Sequence, residues 1–131
     1  MKIYQIASTP IYAWRGIVDG ASGQNTQMRG FFFTDNEDLA KRYARGFKLQ
    51  YAQLIVENPL KIDYSQSDLS LYEIQQEAEK HMRGLSSVFE DQTDNPDGLI
   101  VFNAVEAGIK HTEYVVFKKS QIVNVKTVKL F

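Results

Sequence analysis

Three β-prone runs close the chain, residues 99–102, 113–117 and 123–130, and only turns separate them. Parallel neighbours need a crossover of about a dozen residues or more, usually helical, whereas antiparallel neighbours need only a turn. The last third of the chain is therefore expected to pair antiparallel. Just ahead of the first run, Asn95-Pro96-Asp97-Gly98 is a turn signal that marks where this block begins.

Upstream, strand-like and helix-like stretches alternate. Residues 3–6 and 11–14 are β-prone with Pro10 between them, giving two short strands or one interrupted strand. Gly16, Gly20, Gly23 and Gly30 punctuate a stretch with Ser, Asn and Gln that reads as a loop. Phe31-Phe32-Phe33-Thr34 suits a buried strand. A helix follows, with Thr34 and Glu37 at capping-box spacing and Asp35 or Asn36 as other candidate caps. Its apolar face is Leu39, Ala40, Tyr43 and Phe47, and Gly46 lies near its end. Residues 50–56 alternate as a strand, Asn58-Pro59 breaks it, and residues 60–62 can resume it. A second helix is predicted from residue 68 to about residue 82, with Leu71, Ile74, Ala78 and Met82 on one face. This order is that of an α+β domain, not a doubly wound α/β one.

The 131 residues are expected to form a single domain, 1–131, around one hydrophobic core. A net charge of −1 gives no global attraction to nucleic acid or acidic membrane. The absence of cysteine excludes disulfides, cysteine nucleophiles and thiolate metal sites. Two histidines, His81 and His111, are too few for a His-rich metal site, and no metal is expected. No apolar run approaches the roughly 18 residues of a membrane span. MKIYQIASTPIYAWRG lacks the apolar core of a signal peptide. The expected location is a cytoplasm, reached by synthesis there or by delivery as a leaderless effector, with no membrane partner.

Standard nucleotide and nucleophile signatures are missing. There is no P-loop lysine pattern and no G-x-G-x-x-G, and Gly20-Ala21-Ser22-Gly23 has neither the spacing nor the preceding strand of a nucleophile elbow. Three other segments form a pattern. They are Tyr12-Ala13-Trp14-Arg15-Gly16, Gly30-Phe31-Phe32-Phe33-Thr34-Asp35 continuing to Ala40 and Tyr43, and Thr112-Glu113-Tyr114-Val115-Val116-Phe117 followed by Gln121-Ile122. In this order and spacing they resemble the ADP-ribosyltransferase superfamily, of the poly(ADP-ribose) polymerase and diphtheria-toxin type. That family has a strand ending in His-Gly or Arg-Gly, a Gly-x-Tyr-Phe strand running into a helix with a second tyrosine, and a late strand opening on the catalytic glutamate. Asp97-Gly98-Leu99-Ile100-Val101 also resembles the strand that precedes the glutamate strand in bacterial and phage members.

The resemblance implies a split antiparallel β-sandwich with flanking helices and NAD in the cleft between the sheets. Glu113 would bond the 2′-hydroxyl of the nicotinamide ribose and stabilise the positive charge that develops as nicotinamide leaves. Arg15 stands at the His or Arg position, where its donor fork fits ribose hydroxyls or a diphosphate. Gly16 would let the ligand approach the backbone, and Ile17 takes a position that is often Ser or Thr. Tyr43 matches the tyrosine that stacks on nicotinamide, although the same helix face also suits it to the core. Phe32 occupies the other tyrosine position and can stack without donating a hydrogen bond. Thr34 is the sole likeness to the Ser-Thr-Ser strand of the arginine-bearing subgroup and fits better as a helix cap. His111 takes the acceptor-side position that is Glu or Gln in arginine-modifying members. It could orient or deprotonate another nucleophile, or lie in a solvated turn. Asp19, Ser22, Gln24 and Asn25 offer polar contacts in the glycine-rich loop without an assigned role.

The implied activity is mono-ADP-ribosylation, with NAD as substrate, nicotinamide as product and a protein as acceptor ahead of a nucleic acid. Two alternatives stay open. One is the same fold without catalysis, inhibiting a partner by occupying it, which Phe32 and Ile17 favour. The other is an NAD glycohydrolase with water as acceptor.

Overall fold

The computed structural model describes residues 10–17, 24–25, 30–45 and 48–130. The strand expected at residues 3–6, most of the glycine-rich loop, and Gly46 with Phe47 fall outside the described residues. The elements are β1 (Ile11–Ile17), β2 (Gln24–Asn25), β3 (Gly30–Thr34), α1 (Glu37–Ala44), β4 (Lys48–Leu54), β5 (Leu60–Asp63), α2 (Leu71–Met82), β6 (Gly98–Glu106), β7 (Ile109–Val116) and β8 (Ile122–Lys129). This is the expected α+β class.

The strands hydrogen-bond in the order β5-β6-β7-β3-β1-β4-β8, with β2 on β3. The hairpin β6–β7 is antiparallel, as the short connection requires. Two pairings depart from the sequence reading: β8 does not return beside β7 but lies antiparallel to β4 at the sheet edge, and β5 does not simply resume the strand before it but lies parallel to β6. The segment between them holds α2 and is long enough for a crossover. Leu60 and Ile62 of β5 face inward while Lys61 and Asp63 face out. β1 pairs with β4 along its whole length, but with β3 through the single register pair Trp14–Thr34.

Two clusters make the core. Ile74 and Ala78 of α2 pack with Leu60, Leu99, Val101 and Val115. Ala13, Ala52 and Leu54 pack with Phe31, Phe33 and Val116. β3 and β7 are thus covered on both faces, which explains the uninterrupted Phe31-Phe32-Phe33 run. Each large side chain buried in these clusters stabilises by about 1.5–3 kcal/mol.

Asn36, not Thr34, caps α1: its side chain accepts from the Leu39 N–H at 2.9 Å. Glu37 and Asp38 open the helix and Lys41 and Arg42 close it, complementing its dipole. α1 lies so close to β1 that a Cβ on Gly16 would meet Ala40 O and Ala44 N, each at 2.3 Å. α2 starts at Leu71 with Ser70 and Glu73 in a capping box. Its buried face is Ile74, Gln75, Ala78 and His81, and Met82 is exposed.

Candidate active site

A cavity of about 580 Å³ opens where β1, β3, α1, α2, β6 and β7 meet. That is within the range of roughly 300–1,000 Å³ typical of small-molecule sites. Arg15, Gly16, Phe32, Tyr43, His111 and Glu113 all line it, so the structure brings together the residues to which the sequence reading gave a site role; Asp19 and Ser22 of the glycine-rich loop lie outside the described residues.

Strand register explains the grouping. Thr34 of β3 lies opposite Glu113 of β7, and His111 is two residues before Glu113. In strands, alternate residues share a face, so Phe32, Thr34, His111 and Glu113 look the same way. Across the β6–β7 hairpin Glu106 pairs with Ile109 and Ala104 with His111. Glu106 and His111 are therefore diagonal neighbours on that face. The hairpin tip is only Ala107 and Gly108, with φ of 51° and 74°, a two-residue turn of the primed kind. This is tighter than the turn expected over residues 106–110, and it turns Glu106 and His111 into strand residues.

Glu113 is 4% exposed. The Gln75 side-chain amide donates to both of its carboxylate oxygens at 3.2 Å. Burial and the nearby Glu106 charge push the Glu113 carboxyl up to about 7, with Gln75 and His111 pulling the other way. Glu106 itself is partly open. Burial works to raise its pKa, but His111 and the Tyr43 hydroxyl outweigh that and hold it below the ordinary carboxylate range. The Tyr43 hydroxyl donates to Glu106 Oε2. Burial first, then Glu106, push the phenol upward, so Tyr43 remains a donor at neutral pH. Tyr43 is half exposed at the cavity and does not serve the core.

His111 is buried, not solvated in a turn. Its Nδ1 lies 3.0 Å from Thr34 Oγ1, which also accepts from the Asn36 N–H. Its Nε2 lies 3.0 Å from Glu106 Oε1, an ion pair when the imidazole is protonated. Burial disfavours the imidazolium, yet Glu106 and then Glu113 lift the His111 pKa above the usual histidine value.

Arg15 donates from Nε to Gln50 Oε1 at 2.8 Å. Its guanidinium lies 5.1 Å and 5.5 Å from the ring centres of Phe33 and Phe31, within cation–π range. Its Nη1 is buried with no hydrogen-bond partner among the described residues. A buried donor left unpaired costs about 1–3 kcal/mol, a cost an anionic ligand would remove. Gly16 borders the cavity, but the space a Cβ would take is filled by the backbone of α1.

Two site residues escape the sequence reading, Gln75 and Glu106. Gln75 does leave a signal, because it is a polar residue within the Leu71, Ile74, Ala78 stripe of α2. Glu106 leaves none, because a bulge at Asn103, with φ 57°, breaks the alternation of β6 before it arrives. Among the described residues, no group of three or more His, Asp or Glu could hold a metal ion. No described helix is long and apolar enough to cross a membrane.

A family model described as ADP-ribosyltransferase in polyvalent proteins matches residues 19–129. No curated protein and no solved structure matches the chain.

Proposed function

The chain belongs to the ADP-ribosyltransferases of polyvalent proteins, a family that uses NAD, and on that premise we propose that it moves a single ADP-ribose from NAD to a protein acceptor. One observation carries the reading. A buried carboxylate, Glu113, shares a cavity of ligand size with Arg15, whose Nη1 lacks a partner among the described residues.

In this reading Tyr43 and Phe32 stack the nicotinamide, and Arg15 binds the ribose–diphosphate side. Ionised Glu113 bonds the 2′-hydroxyl of the nicotinamide ribose. The C1′–N glycosidic bond breaks, nicotinamide leaves as a neutral molecule with the electron pair, and positive charge spreads over the sugar beside the carboxylate. The acceptor nucleophile then bonds C1′ and gives up its proton. We read the sheet as the split sandwich, with the cleft at the weak β1–β3 junction, where one register pair holds two better-paired halves.

The test compares nicotinamide release from NAD by the wild type and by Glu113→Gln, with labelled NAD traced into lysate proteins. Release is expected to fall about 100- to 1,000-fold in the variant, the usual effect of removing one transition-state partner, and label is expected to enter protein. Undiminished release by the variant would overturn the assignment of Glu113. Release without label in protein would make the chain a glycohydrolase. No release by the wild type would make it a binding module.

A further inference from the structure

We infer that Glu106 is the base that takes the proton from the incoming nucleophile, while Glu113 serves the sugar; this rests on the NAD-cleaving reading above. Chemistry at a glycosidic carbon commonly divides its work between two carboxylates, one of which activates the attacking group. The cavity holds two, on neighbouring strands of one hairpin and on one face of it. They differ in access: Glu113 is 4% exposed, whereas the Glu106 side chain is 27% exposed. A partner arriving from solvent can therefore reach Glu106.

A carboxylate has about four lone-pair sites. The Tyr43 hydroxyl takes one on Oε2 and His111 stands against Oε1, which fixes the group and leaves sites free for an acceptor O–H. His111 cannot itself serve the acceptor, because its side chain is 1% exposed and its nitrogens face Thr34 and Glu106. It is a positioning residue. The titratable groups facing Glu106 are Tyr43 from α1, and His111 and Glu113 from β7. His111 and Tyr43 keep Glu106 ionised, whereas burial and then the Glu106 charge raise Glu113, the pattern expected when paired carboxyls divide roles. In the step, the acceptor O–H proton passes to Glu106 as the C1′–O bond forms, and nicotinamide has left with the C1′–N pair. The Glu106 carboxyl then returns the proton to solvent.

Azide has no proton to remove, so it distinguishes a missing base from a damaged site. Nicotinamide release and label transfer are measured for the wild type, Glu106→Gln, Glu106→Asp and Glu113→Gln, with and without sodium azide. Glu106→Gln is expected to lose transfer about 100-fold or more. Azide should restore its nicotinamide release, with ADP-ribosyl azide as product, and should not rescue Glu113→Gln. Glu106→Asp should fall between. Near-normal transfer by Glu106→Gln, or inactivity that azide does not relieve, overturns the role of Glu106 and leaves that of Glu113 standing. A wild type that releases no nicotinamide overturns the parent reading, and this one with it.

Discussion

Glu113 is an acid held where burial and the Glu106 charge disfavour its ionised form. In the proposed mechanism only the ionised form stabilises the sugar cation, so its pKa of about 7 predicts that nicotinamide release, followed as kcat/KM, rises with pH through that value. In Glu106→Gln one cause of the raised pKa is gone, so the acid limb should move to lower pH. Stability follows the same linkage with the opposite benefit. A carboxyl whose folded pKa lies above its unfolded value binds its proton more tightly in the folded state. Stability due to Glu113 therefore falls as pH rises from 4.5 to about 7 and stays low above that. The full cost is about 3 kcal/mol, at roughly 1.4 kcal/mol per pH unit. Glu113→Gln should consequently melt above the wild type at pH 8 and alongside it near pH 4. Thermal melts at the two pH values decide this; an unchanged gap would mean that Glu113 is not charged against its surroundings.

At the scale of elements, α1 is fixed by close backbone approach. Gly16→Ala would place a methyl 2.3 Å from Ala40 O and Ala44 N, and backbone cannot swing aside as a flexible side chain can. A loss of about 3 kcal/mol is expected, at the upper end of overpacking costs, and a urea melt would register it. Movement of α1 would also displace Tyr43, so NAD affinity should fall in the same variant. At the β6–β7 tip, Ala107 sits at φ 51°, a conformation that strains an ordinary side chain. Ala107→Asn should stabilise by about 0.5–1 kcal/mol in the same assay, since asparagine tolerates it. The helices and most strands were legible as elements because periodicity is local, but the partner of β8 was not. The parallel β5 was not, because Leu60 and Ile62 show only that one face is buried, not which strand lies beside it.

At the scale of the whole molecule, the candidate site lies at a seam. Arg15 and Gly16 come from β1, Tyr43 from α1, Gln75 from α2, and Glu106, His111 and Glu113 from one hairpin. A ligand touching all of them ties the two core clusters together. NAD at about 100 times its Kd should stabilise the fold by about 2.7 kcal/mol. Calorimetry should show a rise of several degrees in Tm that Arg15→Ala largely removes; an equal rise in that variant would place the dinucleotide elsewhere. By itself the sequence determined the α+β class, the order of elements and the candidates Arg15, Tyr43 and Glu113, because periodicity, caps and short motifs are written in neighbouring residues. Only the tertiary structure decided that His111 is buried and that Gln75 and Glu106 join Glu113. Those facts depend on register, a bulge and a crossover, which set side by side residues that carry no mark of one another along the chain.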